Sequence, residues 1–416
     1  MKILLPQVLV IDPPSPHNGK TVDILLSDGA IEAIGHDLDQ KNVNVIEAAR
    51  GRMVSPGWID GRARSGEPGH EERETYSSLA FAAAQGGFTQ VAVMPSTTPP
   101  RDARPHIESL IQASQSLPVA LLPIGSISKR IEGEHLAELT DMHLAGAVGF
   151  SDDVYGLDHA HLLQLALQYA QDMDVSIQSF AFDRSINPNG QAHEGAMALS
   201  QGLSPISILA ESLRVQRDLA IHAYAGGRLH IAGLSTVEAV EMVRSAKANG
   251  QDVTADVAIA NLIGTEADIQ GFDSTYKVLP PLRSLGDKEA LWGGLLDGTI
   301  DMVVSDHNPM DTEAKSCEWG QALFGAATIE HAFGWYHHVN ASHEALERWI
   351  EAVAYQPRKL YQLGTCTVKV GMPADLTIFA LDGSAEQTHT KAMNTPSWTQ
   401  NGRAIGIVRG KKVTLL

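Results

Sequence analysis

Arg228-Leu-His-Ile231, then residues 236–249, then Val253-Thr-Ala255 is the stretch that decides the fold. The first and last pieces are short runs of buried-strand type. Between them the apolar residues recur at helical spacing, so the unit reads strand, helix, strand. The same alternation extends in both directions. Further strand runs are Gln90-Val-Ala-Val-Met94, Val119-Ala-Leu-Leu-Pro123, Ala147-Val-Gly-Phe150, Val175-Ser-Ile-Gln178 and Asp301-Met-Val-Val-Ser305, with helix-like segments at residues 161–173 and 205–224. Six or more such units over about 300 residues predict a parallel sheet closed into a (β/α)8 barrel of the TIM type.

The ends of the chain read differently. Val22-Asp-Ile-Leu-Leu-Ser27, Asp28-Gly29 and Ala30-Ile-Glu-Ala-Ile34 make a β-hairpin around an Asp-Gly turn. Residues 374–380 are a strand and residues 405–413 a second hairpin. Residues 1–55 and 361–416 are therefore expected to meet in a small β-sandwich domain, with the barrel spanning 56–360.

Composition narrows the function classes. The chain has 416 residues, 44% of them hydrophobic and 19% charged, which is a globular composition. Lys plus Arg number 31 against 49 Asp plus Glu, a net charge of −18, so neither nucleic acid nor an anionic membrane is an expected partner. No stretch approaches the roughly 18 apolar residues of a membrane span. The first apolar run ends at Asp12-Pro13, too early for a signal peptide, and a cytoplasmic location is expected. Two cysteines, Cys317 and Cys366, form neither a disulfide framework nor a zinc knuckle.

In such a barrel the chemistry sits at the C-terminal ends of the strands. There the sequence reads Pro56-Gly-Trp-Ile-Asp60-Gly-Arg62-Ala-Arg64-Ser-Gly66-Glu-Pro-Gly69. It resembles the first-strand motif of the dihydroorotase branch of the amidohydrolase superfamily, Pro-Gly-x-Ile-Asp-x-His-x-His-x-Arg-x-Pro-Gly. Further segments follow in the family's order: Met94-Pro-Ser-Thr-Thr-Pro99, Gly146-Ala-Val-Gly-Phe-Ser-Asp152-Asp153, Leu229-His230-Ile, Lys277-Val-Leu279-Pro-Pro-Leu-Arg283, Ser305-Asp306-His307 and Gly371-Met-Pro-Ala-Asp375. The resemblance implies a barrel-mouth site where zinc-activated hydroxide makes or opens a cyclic amide.

Against that pattern several positions differ. The two first-strand histidines are Arg62 and Arg64, and guanidinium has no free lone pair for zinc. The next family ligand falls on Phe180 of Phe180-Ala-Phe-Asp183. Three ligand positions remain by resemblance: one of Asp152 and Asp153, with spacing favouring Asp153, then His230, and Asp306, which is also the family's base. A dication about 4 Å from a guanidinium is repelled by roughly 8 kcal/mol at an effective dielectric near 20. On the substrate side the family's arginine is Gly66, its asparagine partner Ser96, and the Asn before Pro-Pro-Leu-Arg is Leu279. Ile259-Ala-Asn261 stands where the family has Pro-His-His, and Met310 where it has a histidine.

These losses lead to the expectation of a non-catalytic dihydroorotase-like subunit without zinc. The resemblance implies a homodimer within a larger assembly with aspartate transcarbamoylase catalytic chains. Two alternatives are a cyclic amide hydrolase holding one metal on Asp153, His230 and Asp306, and a metabolite-binding regulator. Arg62 and Arg64 are expected to bridge Asp153 and Asp306. Asp158-His-Ala-His161 reads as a helix start, and His337-His338 as surface.

Overall fold

The computed structural model describes residues 2–385 and 389–416. Eight parallel strands follow one another around a barrel in chain order: Trp58–Ala63, Phe88–Val93, Ala120–Gly125, Gly149–Ser151, Ser176–Phe180, Arg228–Ala232, Val253–Ala258 and Met302–Val304. The first and eighth close the ring. Ala63 and His307 form a parallel bridge, and the Arg64 N–H donates to the His307 carbonyl at 2.8 Å. Buried Asp60 fastens the same seam by accepting the Ser305 N–H at 2.9 Å.

The deciding stretch forms the sixth strand, the helix Val237–Ala248 and the seventh strand. Thr236 starts that helix by accepting the Ala239 N–H, and Ala239, Val240, Val243 and Ala246 bury one face. Its neighbour is shorter than expected. Helical spacing predicts one helix over 205–224, but Pro205–Ile206 pairs in parallel with Ala192–His193 and the helix runs Leu209–Ala225. Ile206 buries its side chain beside Phe182 and Ala210, so its apolar character came from a strand-like loop and not from helical periodicity. The expected surface pair also divides. On the helix Ala332–Val339, His337 is buried and stacks on Phe333 at 5.9 Å while His338 is exposed, because residues four apart share a face. Asp158 does not cap the helix Ala160–Gln171. It pairs with Arg214.

Strands from both ends of the chain share one eight-stranded sheet, in which Lys2–Val10 pairs with Thr21–Ser27 and Met53–Pro56, and Asp375–Ala380 pairs with Met53–Pro56 and Arg403–Arg409. Its core includes Leu5, Val10, Ile24, Leu376 and Ile378. Arg358 links it to the barrel, donating to the Gly57 carbonyl at 2.8 Å and to Asp375 at 2.6 Å. Among the described residues no helix is long and apolar enough to cross a membrane.

Candidate active site

Side chains two apart on a strand share a face, so Asp60, Arg62 and Arg64 project on the same side of the first strand and its extension. Between them lies Gly61, where a Cβ would meet the Met302 methyl at 2.3 Å and that flexible side chain would have to move. Arg64 grips Asp153 with a fork, Nε to Oδ2 at 2.7 Å and Nη2 to Oδ1 at 2.6 Å, and its Nη1 reaches Asp306 Oδ1 at 2.9 Å. Ser96 donates its hydroxyl to the same Asp153. Arg62 lies deeper. Its Nη2 donates to Asp256 Oδ1 at 2.9 Å, its Nη1 sits 3.5 Å from Asp306, and its guanidinium carbon is 5.7 Å from the Phe180 ring centre. Arg62 Nε and Nη1 have no hydrogen-bond partner among the described residues. His230 stands between Thr254 Oγ1 at 2.8 Å and Asp256 Oδ2 at 3.0 Å.

The expected bridge is therefore divided unevenly: Arg64 spans Asp153 and Asp306, while Arg62 mainly serves Asp256. Burial works against both guanidinium charges, yet the surrounding carboxylates outweigh it and hold both above the ordinary arginine pKa. Burial likewise pushes the Asp153 and Asp256 carboxyls up, and the arginines bring them below their ordinary value.

Asp60 and Asp152 behave oppositely. Burial raises both from 3.8 to about 6 despite hydrogen bonds from Ser305 and Ser128. A carboxyl raised in the folded state stabilises below its unfolded value and loses that contribution as the pH rises through its folded value. Each should cost the fold on the order of 2–3 kcal/mol between pH 4 and 6. Asp153 and Asp256, depressed in the fold, instead lose stability as the pH falls below about 4. Asp152→Asn is expected to flatten the fall in urea midpoint between pH 4 and 6. An unchanged slope would show that Asp152 titrates alike in both states.

Above the arginines lies a cavity of about 280 Å³, lined by Arg64, Gly66, His70, Ser96, Asp153 and Met310 among others. Arg73, Tyr155, Arg184 and Asn308 complete much of its wall. Leu279 lines a neighbouring cavity of about 210 Å³ that shares Arg184 and Phe324.

Known proteins resemble this chain over its whole length. The family described as Dihydro-orotase-like matches residues 51–239. A dihydroorotase of Syntrophotalea carbinolica is 36% identical over 100% of this chain and 99% of its own. One of Halalkalibacterium halodurans is 36% identical over 95% and 94%, and one of Bacillus subtilis 36% over 90% and 89%. The chain belongs to the dihydroorotase family. Among solved structures, an L-hydantoinase (dihydropyrimidinase) from Arthrobacter aurescens superposes with a TM-score of 0.86 at 25% identity, covering 100% of this chain and 97% of its own.

This kinship overturns the expectation of a non-catalytic subunit that scaffolds aspartate transcarbamoylase. Relatives matched over 90% to 100% of this chain carry the name of the enzyme, and the chain is read with them as a cyclic amidohydrolase. The error lay in equating altered ligand positions with a silent barrel. A changed donor set shows a changed site, and the mouth still opens onto a cavity walled by polar and charged side chains.

The family's zinc is a separate question, decided by donors. Arg62, Arg64 and Phe180 offer no lone pair. Asp153 and Asp306 both bind Arg64, and His230 faces Asp256 and Thr254. Among the described residues no three His, Cys, Asp or Glu side chains gather to hold a metal. The residues present do not fit a dihydroorotase zinc pair.

Of the family positions, Asp153, Asp306, Arg62 and Arg64 are brought into one network, and His230 joins it through Asp256. Asp152 turns away to Ser128 and the N–H groups of Ile127 and Ser128. Asn261 is buried and donates to the Pro281 carbonyl at 3.0 Å. Sequence reading missed Asp256. A lone carboxylate in Val253-Thr-Ala-Asp-Val-Ala258, two residues after Thr254 on the same face, was the available signal.

Proposed function

We propose that the chain is a cyclic amidohydrolase of the dihydroorotase type that works without zinc. Its substrate is a small carboxylated cyclic amide or the ureido acid formed when that ring opens. The observation that carries the reading is the polar cavity at the barrel mouth of a chain whose full-length relatives are dihydroorotases. In ring opening, water adds to the ring carbonyl carbon, the C–N bond breaks, and its electron pair takes a proton on nitrogen. Arg64 has five N–H groups, three of them used on carboxylates, which leaves two to polarise that carbonyl oxygen. His70 on the cavity wall has Nδ1 3.3 Å from Glu72; with the ring proton held there, Nε2 keeps the lone pair that takes a proton from water.

Purified protein dialysed against chelator should interconvert dihydroorotate and N-carbamoyl-aspartate above the protein-free rate. His70→Gln should lower kcat about 100-fold with little change in KM. Absence of turnover of either compound overturns the reading, and saturable binding alone would leave the mouth a recognition site. A cytoplasmic location and a homodimer associating with aspartate transcarbamoylase catalytic chains are separate proposals, the second tested by co-elution.

A further inference from the structure

In this family's pattern an arginine stands at position 66, and here it is Gly66. The structure shows that no side chain could stand there. A Cβ on Gly66 would meet the His70 carbonyl oxygen at 1.8 Å and the Glu74 carbonyl oxygen at 2.8 Å. The loop following the first strand has folded onto that place. The His70 N–H donates to the Gly66 carbonyl at 2.7 Å, and the Thr98 N–H holds the Pro68 carbonyl at 3.0 Å. The same loop carries Arg73 to the cavity wall.

Arg184 reaches the same cavity from the loop after the fifth strand. In a ring of eight strands in chain order the first and fifth are diametrically opposed, so the two guanidiniums enter from opposite sides. Neither is saturated. Arg73 Nε lies 3.4 Å from Asp311 and 3.8 Å from Glu72, and it makes no hydrogen bond among the described residues. Arg184 has no carboxylate within 4 Å among the described residues, and it rests over the Tyr155 ring at 4.9 Å from its centre. The strand-end carboxylate in the cavity, Asp153, is already taken by Arg64 and Ser96. Among the described residues Arg184 is thus the unpaired cation of the pocket, and on the opposite wall Arg73 brings a guanidinium whose charge is shared with Asp311 and Glu72.

We propose that Arg73 and Arg184 form a two-sided anion clamp, replacing the lost arginine and selecting a ligand with two separated carboxylates. The clamp rests on the cyclic amidohydrolase reading for the ligand's chemistry. It adds a preference within that chemistry for the ring-opened ureido dicarboxylate over the cyclic monocarboxylate.

Calorimetric titration of the parent, Arg73→Ala, Arg184→Ala and Arg184→Lys with three probes tests it. The probes are N-carbamoyl-aspartate with two carboxylates, dihydroorotate with one, and dihydrouracil with none. The parent should rank them in that order. Each alanine variant should weaken the dicarboxylate about ten-fold or more and leave dihydrouracil unchanged, with the lysine variant between. Arg184→Ala should melt with the parent, since its contacts are with one ring. Dicarboxylate affinity within two-fold of the parent in both alanine variants overturns the clamp, and ring turnover in that case leaves the hydrolase reading intact. Clamp-dependent binding with no turnover of any ring supports the clamp and overturns the hydrolase reading. Binding of none of the probes to the parent overturns the clamp.

Discussion

Arg64→Ala is expected to destabilise the protein by about 3–5 kcal/mol, because it leaves the buried Asp153 carboxylate without its ion-pair partner and Asp306 with Arg62 alone at 3.5 Å. Asp153 would lose both arms of the fork and Asp306 its 2.9 Å partner. Ser96 alone would then hold Asp153, and a hydroxyl supplies no charge. Removing the carboxylates as well should restore much of the loss, so Arg64→Ala with Asp153→Asn and Asp306→Asn is expected to be more stable than Arg64→Ala alone. Arg62→Ala should cost less. Arg62 makes one hydrogen bond to Asp256, which keeps His230 and the Gly233 N–H at 2.8 Å as partners. Urea midpoints of the four proteins at pH 7 provide the measurement. A loss under about 1 kcal/mol for Arg64→Ala would mean that Asp153 is neutral or solvated in the fold.

A second large effect is expected in metal content. The parent, dialysed without added metal, should carry well under one zinc per chain. Arg62→His with Arg64→His should not by itself create a tight site, since Phe180 still stands where the family pattern has a ligand. It should also be less stable than the parent in chelator, because Asp153, Asp256 and Asp306 would face one another with no guanidinium among them. Adding Phe180→His completes the imidazole and carboxylate donors that zinc takes. That triple variant should hold at least about one zinc per chain and gain about 4 kcal/mol with metal at 1,000 times its Kd. Elemental analysis and urea midpoints with and without zinc give the two readouts. Stoichiometric zinc retained by the parent would show that the arginines swing aside and do not occupy the metal positions.

Several features were legible from local pattern alone. The N-terminal hairpin follows from an Asp-Gly turn and period-two alternation, and Thr21–Ser27 with Ala30–Gly35 lies where that pattern put it. The helix Val237–Ala248 follows from apolar residues at helical spacing behind a threonine cap. Misreadings arose where burial came from distant parts of the chain. Ile206 is apolar because a loop folds over it, and His337 is inside because Phe333 and the helix face carry it there. At the candidate site, the identities of Arg62, Arg64 and Phe180 sufficed to remove three zinc donors, because ligation needs a lone pair that these side chains lack. The step from that loss to a silent barrel did not follow, since ligand identity says nothing of what the remaining cavity can bind.

The sequence by itself determined the alternation that closes the barrel, the family, and the chemical identity of the strand-end residues, all properties set by side chains a few positions apart. Tertiary structure alone decided which charge neutralises which. Arg64 meets Asp153 across 89 positions of chain and Asp306 across 242, and Arg62 meets Asp256 across 194. No spacing rule spans such separations, because closure of the sheet brings these residues together. The same closure sets Arg73 and Arg184 on opposite walls of one cavity, where loop folding rather than strand register fixes their places.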